Sequence, residues 1–352
     1  MKEDSHQAAL RAIIETFEDL LVRRLLIREG EPNTESPLSF VLPTSVEEVQ
    51  LLSEVSQRYS VPMVAQGART AYESGSEKGG LLVSFDLMRR TRLPADLAEH
   101  WVEAEPGALW LEVDNELHSR GMGLTVYPTS APRSTIGGWL AMDGLGVGSF
   151  EYGWLRENVI SADVVLPGGE RCEVRGEELP SFVEPGGTAG IVVGAKLRSR
   201  PTHADEPFSA TFTNAEDLLS AVTGVAKAGV PLWHLAFLNP QMAKARSIGE
   251  EHLLFGAYSQ EQGVAVEEKL RNILKSYRGR IHGAADAYRV WGQRFFPVVP
   301  SHPTPSASRQ FVSLANLSEV LGGTMSHPKH LGLQGTVGRK GDVLLLSVDT
   351  RE

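Results

Sequence analysis

At 352 residues, with 41% hydrophobic and 22% charged side chains, the chain has the make-up of a globular protein with room for two cores. A formal net charge of −10 implies no basic face for nucleic acid. The single cysteine, Cys172, excludes an internal disulfide, a cysteine zinc site and a cysteine-ligated iron–sulfur cluster. With no signal peptide and no apolar run of membrane-spanning length, the expected setting is cytoplasmic, peripheral to a membrane only through partners.

Taken in chain order, Leu10, Ile13, Ile14, Phe17, Leu20, Leu21 and Leu25 recur at helical spacing and predict an amphipathic helix over 7–28. Its apolar face either packs on its own domain or docks on a partner subunit. A short strand over 36–43 follows, and then a helix over 45–59 with Ser45 and Glu48 as a capping box. Val61–Val64, Leu81–Phe85 and Trp101–Ala104 read as strands, and Leu109–Arg120 as a helix stopped by Gly121. Val159–Leu166 turns through Pro167-Gly168-Gly169 into a return at Arg171–Val174, and Gly190–Arg200 is a long strand. From Phe208 the pattern restarts: a strand, a helix at 214–228, a strand at 232–238, a helix at 261–276, a Pro-rich stretch near 297–305 and a last strand at Val343–Val348. These elements give an α+β chain with an N-terminal helix (1–35), a first domain (36–203) and a smaller α+β second domain (204–352).

Two glycine-rich segments carry the chemistry. Gln66-Gly67-Ala68-Arg69-Thr70-Ala71 follows a strand directly, and small residues there let successive backbone N–H groups line a pyrophosphate-binding concavity. Alone, such a Gly-Ala turn is common. Pro128-Thr129-Ser130, then Ser134-Thr135-Ile136-Gly137-Gly138-Trp139-Leu140-Ala141, then Tyr152-Gly153, is more specific, because hydroxyls beside paired glycines allow close backbone approach to a flat or charged ligand. A helix capped by Ser134 explains part of that run but not all of it. Gly144-Leu145-Gly146-Val147-Gly148 does not read as a dinucleotide fingerprint, since no strand leads in and Gly-Ser-Phe-Glu-Tyr-Gly starts no helix.

The ordered set of these motifs over 37–202, closed by Gly187-Thr188-Ala189-Gly190-Ile191, resembles the FAD-binding domain shared by vanillyl-alcohol oxidase, p-cresol methylhydroxylase, D-lactate dehydrogenase and the FAD subunits of glycolate oxidase. The resemblance implies a two-lobed FAD domain of the vanillyl-alcohol-oxidase type followed by a smaller cap domain. It implies that Gly67 to Ala71 cradle the pyrophosphate, that Pro128 to Ser130 and Ser134 to Gly138 run along the ribityl and ring portions with Ala141 and Tyr152 nearby, and that Gly190, Ile191 and Val192 meet the adenine side. The family usually has a further glycine where Arg69 stands, and Asn where Trp139 and Asp143 stand. Members of the family with covalent flavin tether it through a His, Tyr or Cys; 66–75 holds no His or Cys, although Tyr72 is there, and the expected cofactor is non-covalent FAD.

The second half resembles the cap of the hydroxy-acid dehydrogenase branch less closely. Leu235-Ala236-Phe237-Leu238-Asn239-Pro240 lacks two carboxylates that the family often has, whereas Trp291-Gly292-Gln293-Arg294 matches a family Trp-x-x-Arg. His330 and Gly332 retain only part of the metal-binding segment of that branch, and one histidine does not build a three-ligand site, so no metal is expected. Candidate catalytic residues are His234, Arg294 (a fork for a substrate carboxylate) and His330. The implied activity is oxidation of a small 2-hydroxy acid or alcohol on FAD, in a glycolate-oxidase-like or D-lactate-dehydrogenase-like system. With one cysteine, onward electron transfer calls for partners: a second flavoprotein subunit and an iron–sulfur subunit. The alternative is a non-catalytic FAD-domain subunit with a structural or assembly role.

Overall fold

A computed structural model describes residues 26–27, 38–68, 70, 80–183, 189–202, 205–296, 308–324 and 331–349. By contacts the chain divides into two compact units, the first made of Met1–Ser119, Ala131–Asp143 and Val159–Arg200, the second of Arg120–Ser130, Gly144–Asn158 and Pro201–Glu352. The division is not one cut in sequence: two short segments of the first half, 120–130 and 144–158, cluster with the second unit. The helix expected over 7–28 lies outside the described residues, except that Leu26–Ile27 is extended and pairs antiparallel with Ser39 and Phe40.

In the first unit one sheet runs in the order Leu26–Ile27, Leu38–Val41, Gly80–Ser84, Met63–Gln66, with the last three strands mutually parallel. Such strands need a crossover, and the helix Val46–Tyr59 supplies it. Ser45 caps that helix, accepting from Glu48 N at 3.3 Å, while the Glu48 carboxylate reaches back to Thr44 N at 2.6 Å. Val49, Leu52 and Val55 fall on one face at helical spacing and are buried. Leu52 and Val55 pack with Val41, Val61 and Leu81; Val49 joins Val83, Phe85, Met88 and Val165. Each such side chain contributes about 1.5–3 kcal/mol by leaving water.

A second, antiparallel sheet of this unit runs in the order Thr91–Arg92, Trp101–Ala104, Ile191–Pro201, Val159–Val165, Arg171–Val174. Its hairpin turns at Gly168 and Gly169, with φ of +93° and +89°. A Cβ on Gly169 would fall 2.7 Å from the Gln50 carbonyl, so glycine is required for the turn to reach the helix. Gln50 Nε2 and Ser53 Oγ then donate to Gly169 O and Leu166 O, both at 2.8 Å.

The second unit holds a seven-stranded antiparallel sheet in the order Arg280–Ile281, Asp205–Phe212, His252–Ser259, His234–Leu238, Leu331–Val337, Asp342–Asp349, Ser308–Ser313. One face packs Phe212, Leu235, Phe237, Leu254 and Leu333 with side chains of the helices Ala215–Lys227, Gly263–Ser276 and Leu317–Thr324. The opposite face packs Ala236, Leu238, Phe255 and Val348 with Met242, Val290 and Trp291 of Pro240–Ala245 and Ala284–Gly292. Because both faces are covered, His234–Leu238 is buried at every position and shows no polar alternation. The strand His252–Ser259 and the helices Pro240–Ala245 and Ala284–Gly292 go beyond the elements read from sequence.

One sequence reading is corrected. Ser149–Tyr152 does form a helix, a single turn following Gly148, which has φ +91°. The lead-in remains wrong for a dinucleotide fingerprint: Val147 makes only an isolated bridge to Tyr127.

Candidate functional site

In the first unit, the strand Met63–Gln66 delivers Gly67 onto the helix Ile136–Leu140. Thr135 is the N-cap of that helix, and its Oγ1 accepts from Gly138 N at 3.3 Å. A Cβ on Gly67 would lie 2.6 Å from Thr135 Oγ1 and 3.1 Å from Gly138 Cα; one on Gly138 would lie 2.9 Å from the same hydroxyl. The two glycine-rich segments, separated in sequence by about seventy residues, therefore meet backbone to backbone. Ile136 N and Gly137 N donate to Ala108 O and Pro106 O, both at 2.8 Å, and Trp110 Nε1 donates to Thr135 O at 3.0 Å. These bonds fix the turn before any ligand arrives.

Ser134, next to the cap, is buried, and its Oγ has no hydrogen-bond partner among the described residues. A buried hydroxyl left unpaired costs about 1–3 kcal/mol, which a ligand oxygen or nitrogen would recover. The glycine contact and the orphan hydroxyl together fit a cofactor that presses on backbone, as FAD does. Trp139 stands edge-on to the buried Trp110, with centroids 5.0 Å apart and planes at 85°.

Among the other residues expected at the cofactor, Gln66 ends its strand, Ala68 is exposed, and Thr70 and Ala141 are half-buried. Gly190, Ile191 and Val192 are buried at the start of a long strand, with Ile191 and Val192 opposite Val165 and Val164 and the Ile191 side chain in the core. Pro128, Thr129, Ser130 and Tyr152 belong to the second unit, where Thr129 O accepts from Phe296 N at 2.9 Å and Tyr152 O from Asn158 Nδ2 at 3.0 Å. Arg69, Ala71 and His330 lie outside the described residues.

The second unit brings His234 and Arg294 together. His234 is fully buried, 5.8 Å from the Trp291 ring and 5.9 Å from Phe255, and among the described residues neither ring nitrogen has a hydrogen-bond partner. Burial, and then the nearby Arg294 guanidinium, push its pKa down to about 3, so it is neutral at physiological pH. Arg294 donates from Nε to Tyr127 Oη at 3.1 Å and from Nη1 to Trp291 O at 3.1 Å. Its guanidinium lies 4.8 Å from the Trp291 ring and 4.3 Å from that of Phe295. Trp233 Nε1 donates to Thr125 O at 3.1 Å, closing an aromatic wall with Tyr127.

Three further polar residues on this sheet face escaped the sequence reading. Arg246 follows the helix Pro240–Ala245 and is buried; it donates from Nη1 to Gln293 O at 3.0 Å and from Nη2 to Gln334 Oε1. Gln334 and Thr336 are wholly buried on the strand Leu331–Val337. Their i, i+2 spacing was the available signal, but it reads equally as a solvent-facing edge.

Residues 37–175 match the family model described as FAD binding domain. A mitochondrial D-lactate dehydrogenase [cytochrome] of Arabidopsis thaliana is 28% identical over 253 residues, covering 65% of this chain and 44% of the relative. The glycolate oxidase subunit GlcD of Bacillus subtilis is 28% identical over 240 residues, covering 64% and 51%. The chain thus spans about half the length of the curated relatives it matches. Among solved structures, an alkyldihydroxyacetonephosphate synthase has a TM-score of 0.71 at 19% identity, covering 89% of this chain and 71% of the other. 4-Ethylphenol oxidase from Gulosibacter chungangensis has a TM-score of 0.72 at 14% identity, covering 98% and 83%. At those identities the structures speak for the fold alone. Residues 37–175 thus form an FAD-binding domain of the p-cresol methylhydroxylase type, and the curated relatives of the chain include a D-lactate dehydrogenase and a glycolate oxidase subunit.

Proposed function

We propose that this chain is an FAD-linked oxidoreductase acting on the CH–OH group of a small 2-hydroxy acid, in a glycolate-oxidase-like or D-lactate-dehydrogenase-like system. The observation that carries the reading is the meeting of Gly67 with Thr135 and Gly138 beside the unpaired Ser134 hydroxyl. In this reading FAD is held non-covalently, its pyrophosphate against the loop that begins at Gly67 and Ala68, with Ser134 donating to it. The bound flavin would supply the two-electron acceptor.

The residues of the second unit would recognise the acid. Arg294 offers a planar fork for its carboxylate, already oriented by Tyr127 and stacked on two rings. His234, held neutral, would hydrogen-bond the substrate hydroxyl; a group whose pKa is about 3 is poorly matched to taking up its proton. Electrons would leave through a second flavoprotein subunit and an iron–sulfur subunit, since this chain has one cysteine. GlcD being named as a subunit supports such an assembly.

A second reading, an FAD-domain subunit with a structural role, is favoured by Trp139, a bulky ring in the glycine-rich turn. Anaerobic titration separates the two. The catalytic reading expects glycolate or D-lactate to bleach the flavin absorbance with partner subunits present. Reduction by dithionite alone, across a panel of 2-hydroxy acids, would favour the structural subunit.

A further inference from the structure

We infer that Arg246, Gln334 and Thr336 form an internal site in the second unit for a small oxyanion of the carboxylate class. Arg246 is only 6% exposed, and no carboxylate among the described residues pairs with it. Burial draws its pKa down only to about 9, so it stays cationic at neutral pH. A buried charge without a counter-ion is among the costliest features a fold can carry.

The contrast within the same molecule is sharp. On the first unit's antiparallel sheet, an open groove of about 700 Å³ is lined by four cations and four carboxylates. There Arg90 meets Glu105 and Arg171 meets Asp163, each at 2.7 Å, and Arg92 meets Glu103. Exposed arginines that water already solvates have acids beside them, whereas the buried Arg246 has two neutral oxygens.

The groups around Arg246 complete an anion-binding set. Its Nε–H, the Gln334 amide nitrogen and the Thr336 hydroxyl are all buried and without partners among the described residues. Each of the three can donate a hydrogen bond, and none carries negative charge. Gln334 stands opposite Leu238 and Thr336 opposite Ala236, so both project from one sheet face. Ala236 puts only a methyl group beside Thr336. A metal cation would meet a guanidinium here. A neutral ligand would leave the guanidinium charge uncompensated. A carboxylate offers a net charge and two oxygens to a forked donor, which answers both. Gln334, which Arg246 bonds, stands opposite Leu238, two same-face positions along the strand from His234, and Thr336 stands opposite Ala236, one such position from it.

The test reads binding, not turnover, and so stands apart from the fate of the flavin reading. Thermal unfolding of the full chain as purified, with whatever cofactor it carries, is followed as sodium acetate replaces sodium fluoride at constant ionic strength and pH 7.5. The wild type is expected to gain about 3 °C in a saturable manner. Arg246→Met should lose that response. Gln334→Glu, which installs a carboxylate beside the guanidinium, should unfold at a higher temperature than wild type in fluoride and gain nothing from acetate. Should Arg246→Met fail to fold, the Gln334→Glu comparison still decides. An equal acetate response in wild type and Gln334→Glu overturns the proposal, and so does a wild type indifferent to acetate.

Discussion

Gly67 and Gly138 approach so closely that a methyl group on either would come within 3 Å of the Thr135 hydroxyl, at 2.6 and 2.9 Å. That contact joins a strand end to a helix start within the first unit.

Replacing Gly67 by Ala should therefore weaken FAD retention by about five- to 150-fold, since overpacking there costs about 1–3 kcal/mol. The check is equilibrium dialysis of the apoprotein against FAD, with circular dichroism to confirm the fold. Unchanged affinity in a folded variant would remove this contact from the cofactor site.

His234 gives the chain a defined response to acid. Its folded pKa, about 3, lies below the ordinary value of 6.5, so folding favours the neutral ring. Its contribution to stability is complete above pH 6.5 and declines as the pH falls toward 3, by up to about 1.4 kcal/mol per pH unit. His252 is shifted in the same direction by burial. His234→Leu, placed among Phe255 and Trp291, should unfold less steeply with acid than wild type between pH 6.5 and 4.5. Urea midpoints across that range measure it, and parallel curves for the two proteins would contradict the assignment.

Asn239 ties the helix Pro240–Ala245 to the neighbouring strand. Its Oδ1 accepts from Met242 N at 2.9 Å and Leu333 N at 2.8 Å, and its Nδ2 donates to Leu331 O at 2.7 Å. Asn239→Ala removes an N-cap and orphans buried groups, at an expected cost of about 2–4 kcal/mol. Denaturant unfolding reads this directly, and a loss under 1 kcal/mol would mean that water replaces the amide.

Arg294→Lys keeps the charge but removes the fork and the ring stacking. Under the hydroxy-acid reading KM should rise about tenfold or more, with a smaller change in kcat. Steady-state kinetics with an artificial electron acceptor separates the two constants, and an unchanged KM would release Arg294 from the carboxylate.

Much of the first unit was legible because its elements announce themselves locally. Ser45 and Glu48 mark a helix start, Val49, Leu52 and Val55 mark its buried face, and Pro167-Gly168-Gly169 marks a hairpin. The second unit was less legible because its central strands are covered on both faces. His252–Ser259 has seven consecutive buried residues, so the period-two signal that identifies a strand is missing. The same covering hid Arg246, Gln334 and Thr336, polar residues that sequence alone assigns to solvent. The division of the Pro128–Gly138 run between the two units was equally invisible, since it depends on contacts far along the chain such as Phe296 N to Thr129 O.

The most direct test of the account is the visible absorption spectrum of the purified protein, taken before and after acid precipitation. Non-covalent FAD predicts a flavin spectrum that moves wholly to the supernatant. A colourless protein that takes up no added FAD would contradict the cofactor site built around Gly67, Ser134 and Gly138.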